Sequence, residues 1–137
     1  MPKNYDKNKS YPIVLFIHNA GAIGNDTATT LVQGLGAVIL ANPLEQAKHE
    51  CFVLAPQYST VDTDSPVRCD TTVHLINSIA SQYSIDKNRL YSTGQSMGCM
   101  LSIAISIKYP DLFAALLLVA GHWHPQAMSV LADRACG

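Results

Sequence analysis

The sequence predicts an α/β fold, a three-layer α/β/α sandwich around a mostly parallel sheet. Three observations predict it. Four short runs read as strands, three of them continuously apolar instead of alternating, as strands buried on both faces require. Segments with apolar residues at three- and four-residue spacing lie between them. The two patterns alternate along the chain, which calls for a parallel sheet wound by right-handed crossovers. Residues 1–137 read as one domain, without linker, internal repeat or low-complexity tract.

The first strand is residues 11–17, apolar throughout and rich in β-branched residues (Tyr-Pro-Ile-Val-Leu-Phe-Ile). Residues 29–40 carry a helical pattern that Gly34 and Gly36 work against. Residues 42–50 and 59–65 read as loops, with a second strand at 51–55. Val73, Ile76, Ala80 and Tyr83 make the apolar stripe of a helix over about 66–83, and Pro66 suits its first turn. Residues 89–93 are a third, more polar strand. Met97, Leu101, Ile105 and Lys108 trace a helix closed by Tyr109-Pro110. Residues 113–120 are the fourth strand.

Composition narrows the function. The net charge of −1 offers no nucleic-acid footprint and no polybasic surface for a membrane. The longest apolar run, residues 112–120, is far short of the ~20 residues of a spanning helix. Residues 1–6 lack the apolar segment of a signal peptide, and the compartment stays open. Charged residues are 14% and apolar residues 48% of a chain whose small size should make it rich in surface, so it reads as the interior of something larger. Cys51, Cys69, Cys99 and Cys136 show no C-x-x-C pair, which argues against zinc. The apolar neighbours of Cys51 and Cys99 favour buried thiols.

Gly94-Gln95-Ser96-Met97-Gly98 matches G-x-S-x-G, and its setting makes it specific. It ends a predicted strand and opens a predicted helix, the context that lifts a serine hydroxyl out at the edge of a sheet. The helix behind it directs free backbone N–H groups toward developing negative charge. The alternative is a helix-capping serine in a glycine-rich turn. His18-Asn19-Ala20-Gly21 leaves the first strand directly. The backbone at Asn19 and Ala20 can aim an N–H at the point reached by that of Met97, giving two oxyanion donors worth roughly 3 kcal/mol each. For the His18 side chain a structural bond to backbone is the better reading, with contact to substrate as the alternative.

In open parallel sheets, ligands bind beyond the carboxyl ends of the strands. The residues leaving the four strands are His18 to Gly21, Gln57 and Tyr58, Ser96, and His122, Trp123 and His124. They should share one rim. Gln57, Tyr58 and Trp123 are candidate substrate contacts, and His122 and His124 candidate bases. His122-x-His124 can also present two ligands to a metal, but no third is evident, so neither metal nor cofactor is expected.

With these residues the chain resembles α/β-hydrolase serine esterases of the prolyl-oligopeptidase-like and polyhydroxybutyrate-depolymerase-like kind. The likeness runs through residues 2–6, 11–21, 51–57, 88–115 and 119–121, and is most specific at the elbow. It implies hydrolysis of small-molecule esters through a Ser-Asp/Glu-His triad. It also implies that the chain holds strands three to six of an eight-stranded domain, because acid and histidine should follow Ser96 in that order. After Ser96 the chain offers Asp111, which looks structural, His122, His124, and Asp133, which comes after both histidines. The family usually has Gly where Asn19 stands and a small residue where Cys99 stands. Asn19 is expected to keep the turn by tolerating a left-handed backbone, and Cys99 to crowd the helix–strand contact. A second expectation, of a different class, is a catalytically incomplete fragment or binding module that self-associates through exposed sheet edges.

Overall fold

A computed structural model describes residues 1–33 and 35–132. The apolar runs form one sheet, ordered β2-β1-β3-β4, from β1 (Tyr11–Ile17), β2 (Phe52–Leu54), β3 (Ile85–Gln95) and β4 (Ala115–Val119). Every neighbouring pair is parallel. Ile17 of β1 is the register partner of Gly94 of β3, so the two inner strands end side by side.

Helices α4 (Pro66–Gln82) and α5 (Met97–Lys108) cover one face. There Ile13, Leu15, Ile17 and Leu90 meet Val73, Ile76, Leu101 and Ile105 in a single buried cluster. The other face carries α1 (Thr29–Val32), α2 (Gly36–Ala41) and α3 (Pro43–Lys48). Gly36 lets α2 lie on the sheet, since a Cβ there would come within 2.2 Å of the Phe16 ring. Cover on this second face is partial: Leu117 is 67% exposed. A turn of 3-10 helix at Pro125–Met128 leads into α6 (Ser129–Ala132). Among the described residues no helix is long and apolar enough to cross a membrane.

The structure departs from the sequence expectations in four places. Residues 42–50, expected as loop, contain α3. Asn42 Oδ1 accepts the Leu44 N–H at 2.9 Å, and Pro43 takes the first helical position, a cap and start that outweigh the helix's shortness. The single helix expected over 29–40 is divided, with Leu35 at φ 54° heading α2. Strand β3 begins at Ile85, not at residue 89. Ile85 pairs with Tyr11, and the register then jumps to Ile13–Leu90. The polar residues thrown out between hold themselves, Arg89 Nε donating to Asp86 at 2.7 Å and Arg89 Nη2 to the Ser10 carbonyl at 2.8 Å. Finally, β4 is shorter than the apolar run 113–120. Cys51, Cys69 and Cys99 are buried free thiols. Cys136 and Asp133 lie outside the described residues.

Candidate active site

The serine elbow is made by two close approaches of backbone to backbone. A Cβ on Gly94 would lie 2.6 Å from the Gly98 carbonyl carbon and 2.8 Å from the Ile17 oxygen. A Cβ on Gly98 would lie 2.0 Å from that same Ile17 oxygen. Glycine at both positions therefore brings the first turn of α5 against the end of β1. Between them Ser96 has φ 54° and ψ −113°, a combination that tight turns ordinarily reserve for glycine. It is exposed, and its N–H donates to the Val119 carbonyl at 2.9 Å, tying the elbow to β4. Met97 follows as the first helical residue, whose N–H has no acceptor within its own helix.

On the neighbouring strand, Asn19 caps a 3-10 turn at Ala20–Ala22, and Ala20 is its first residue. The Ala20 N–H is thus a second helix-start donor without an intrahelical acceptor. Asn19 is extended, at φ −77°, and not left-handed as expected. Its side chain does the work instead: Oδ1 accepts the Gly21 N–H at 2.8 Å, and the carbonyl accepts from Ala22 at 3.1 Å. Gly98 would place a Cβ 3.0 Å from the His18 carbonyl, so the two helix starts stand next to each other on the rim.

His18, Gln57 and Tyr58 are brought to this rim, with their side chains turned into the structure. The His18 ring is fully buried. Nδ1 lies 2.7 Å from the Asn19 carbonyl, and the Tyr58 N–H donates to Nε2 at 2.9 Å. The Gln57 amide clasps the loop after β1, donating to the Ala22 carbonyl at 3.0 Å and accepting from the Thr27 N–H at 2.7 Å. Tyr58 shares a hydrogen bond with Thr72 at 2.9 Å, and burial pushes its hydroxyl up to about 12. In the same loop Asp26 is held down to about 2, first by the Thr29 hydroxyl and then by the N–H groups of Thr29 and Ala28.

After β4, Gly121 comes close to the elbow. A Cβ on Gly121 would lie 3.4 Å from the Ser96 carbonyl oxygen and 2.2 Å from the Cys99 sulfur. Cys99 is therefore accommodated by Gly121, where crowding of the strand was expected. Burial pushes its thiol up, away from reactive thiolate. His122 comes next in the chain and is exposed. Trp123 then turns away, lining a cavity of about 270 Å³ with Cys69, Ala104 and Ile107. Ala104 and Ile107 are eight and eleven residues along from Ser96, roughly 12 to 16 Å of helix, so Trp123 is not gathered at the serine. His124 is exposed and caps the Pro125–Met128 turn. Asp111 sits in the turn before β4, at the end of the sheet opposite to Ser96. Among the described residues no group of three His, Cys, Asp or Glu is placed to hold a metal ion.

Sequence reasoning missed Gln33. With Asn19, Thr93 and Gln95 it gives the polar lining of a cavity of about 320 Å³, whose apolar part includes Phe16, Ile39 and Leu117. Gln33 lies in the broken stretch between α1 and α2, where no periodic pattern reveals which way a side chain points.

The model of the esterase PHB depolymerase family matches residues 8–135. The chain belongs to that family. A thermostable esterase of known crystal structure superposes with a TM-score of 0.89 at 32% identity, over 96% of this chain and 38% of that one. Acetylxylan esterase A of Aspergillus ficuum is 25% identical over 126 residues, 88% of this chain and 40% of its own length. Poly(3-hydroxyalkanoate) depolymerase C of Paucimonas lemoignei is 31% identical over 62 residues. The esterase fit identifies the four-stranded parallel sheet with its flanking helices as a portion of the α/β-hydrolase fold. The chain spans less than half the length of these relatives.

Proposed function

We propose that this chain carries the nucleophile and the oxyanion donors of a serine hydrolase acting on carboxylic esters of small molecules. The carrying observation is the conformation of Ser96: exposed, at positive φ, at the carboxyl end of a central strand and the start of α5. Ser96 Oγ attacks the ester carbonyl carbon and gives its proton to a base, while the carbonyl π pair becomes an oxyanion. The N–H groups of Met97 and Ala20 stabilise that charge. Collapse of the intermediate expels the alcohol, which takes the proton, and water then frees the acid from Ser96. His122 is the base best situated in this chain, with His124 second. Carboxylic esters as a class fit the names of the relatives, which include an acetylxylan esterase and a poly(3-hydroxyalkanoate) depolymerase.

A second reading is a binding module that uses the same rim without turnover and self-associates through the sheet. It is favoured by the exposed Leu117 and Val119 on the partly covered face. Hydrolysis of p-nitrophenyl acetate by the chain and by Ser96→Ala separates the two. Turnover that vanishes in the variant supports the hydrolase. Equal inertness of both, with concentration-dependent dimerisation, replaces it with the binding module.

A further inference from the structure

The ring of His18 is buried under the rim and holds two backbone groups, and the chemistry of those groups fixes its protonation. A carbonyl only accepts, so Nδ1, 2.7 Å from the Asn19 oxygen, carries the proton. An amide N–H only donates, so Nε2, which receives the Tyr58 N–H at 2.9 Å, is bare. The ring is a neutral strut from the end of β2 to a single peptide group. That group is the one joining Asn19 to Ala20. In a trans peptide the C=O and the N–H point in opposite directions. Drawing the Asn19 oxygen toward His18 therefore turns the Ala20 N–H the other way, outward onto the rim at the first position of its turn.

We infer that His18 is a positioning residue that sets the plane of the Asn19–Ala20 peptide and so aims the Ala20 N–H at the oxyanion. The inference rests on the hydrolase reading of Ser96. The Ala22 N–H holds the same oxygen along the turn at 3.1 Å, and the Nδ1 bond, at 2.7 Å, is the shorter of the two. Tyr58 contributes by fixing the tautomer, because a proton on Nε2 would face a donor, and Nδ1 would then have none to offer. His18 thus links the β2 exit to the donor loop without touching substrate.

The test uses two substitutions that split the two ring nitrogens. The amide nitrogen of H18N falls near the place of Nδ1 and restores the bond to the Asn19 carbonyl. The longer H18Q reaches the place of Nε2, keeps an acceptor for Tyr58 and leaves the Asn19 carbonyl to Ala22 alone. The probe is a fluorophosphonate, whose reaction at Ser96 is followed by intact mass, with thermal melting as the measure of folding. H18Q should label slower by on the order of 10²-fold, the loss expected for one oxyanion donor, while H18N labels close to wild type. A purely structural role would lower both melting temperatures and leave both labelling rates unchanged. A folded H18Q that labels at the wild-type rate overturns the inference. Ser96→Ala separates the two claims: labelling that persists in it refutes Ser96 as nucleophile. The Ala20 backbone amide resonance then judges His18 alone. Both variants lose the ring current, so the resonance must shift further in H18Q than in H18N, and an equal shift overturns the inference as well.

Discussion

Adding one methyl group to the elbow, in Gly98→Ala, tests whether the motif's second glycine serves close packing. The new Cβ would stand 2.0 Å from the Ile17 oxygen, 2.7 Å from the Ile17 carbonyl carbon and 3.0 Å from the His18 oxygen. All three are backbone atoms at or just past the end of β1, where Ile17 is the register partner of Gly94, so none can swing aside as a side chain does. The first turn of α5 has to retreat instead, by roughly 1.4 Å before ordinary contact distance is reached. Overpacking of this kind costs about 1–3 kcal/mol. The Met97 N–H travels with the turn, and a misplacement of about 1 Å is worth on the order of 10²-fold in rate. Urea unfolding reads the first quantity and fluorophosphonate labelling of Ser96 the second. Gly21→Ala is the control. Its Cβ would come within 2.2 Å of Gln33 Nε2, the far end of a flexible side chain, so its loss should stay within about 0.5 kcal/mol. An unchanged urea midpoint and labelling rate in Gly98→Ala would refute the packing argument. So would equal losses in the two alanine variants.

Gly121→Ala drives a methyl to 2.2 Å from the Cys99 sulfur. Combined with Cys99→Gly, which also removes the Cβ 2.4 Å away, in a double-mutant cycle by urea unfolding, it should show a coupling of about 0.5 kcal/mol or more, and strictly additive losses would break the pairing described above. Asp26 is held down from 3.8 to about 2 in the folded chain. A depressed carboxylate stabilises above its unfolded pKa, and that stability drains away as pH falls from 3.8 toward 2. Melting temperature should therefore drop across this window less steeply in Asp26→Asn than in wild type, and parallel slopes would contradict the assignment.

The elbow was legible in the sequence because a strand end, a helix start and two glycines follow one another within a few residues, although the backbone those glycines approach, at Ile17, lies far along the chain. Strand burial was legible for a similar reason, since a run such as residues 11–17 has no polar face to offer water. The helix at Pro43–Lys48 starts on a local signal, Asn42-Pro43, that its weak apolar pattern does not reinforce. Other features depend on partners far along the chain. Gln57 and Tyr58 were placed on the correct rim, yet their hydrogen bonds run to Ala22 and Thr27 and to His18. Nothing near residue 57 encodes that it clasps a loop thirty residues earlier. The departure of Trp123 from the serine follows from the turn at Gly121 and from the groove between α4 and α5 that receives the indole. Asn19 shows a local rule replaced by another: tolerance of a left-handed backbone was expected, and a side-chain cap on an extended backbone does the same job.

The dihedral angles of Ser96 bear on how this chain can drift under mutation. Holding a side chain at φ 54° and ψ −113° costs of the order of 1–3 kcal/mol, an appreciable part of the 5–15 kcal/mol by which domains are usually stable. Ser96→Gly would release that tension and leave the elbow's path intact, so a lineage relieved of selection for hydrolysis has a stabilising exit one codon change away. Strain of this kind is what the proposed role of Ser96 as nucleophile requires the fold to hold.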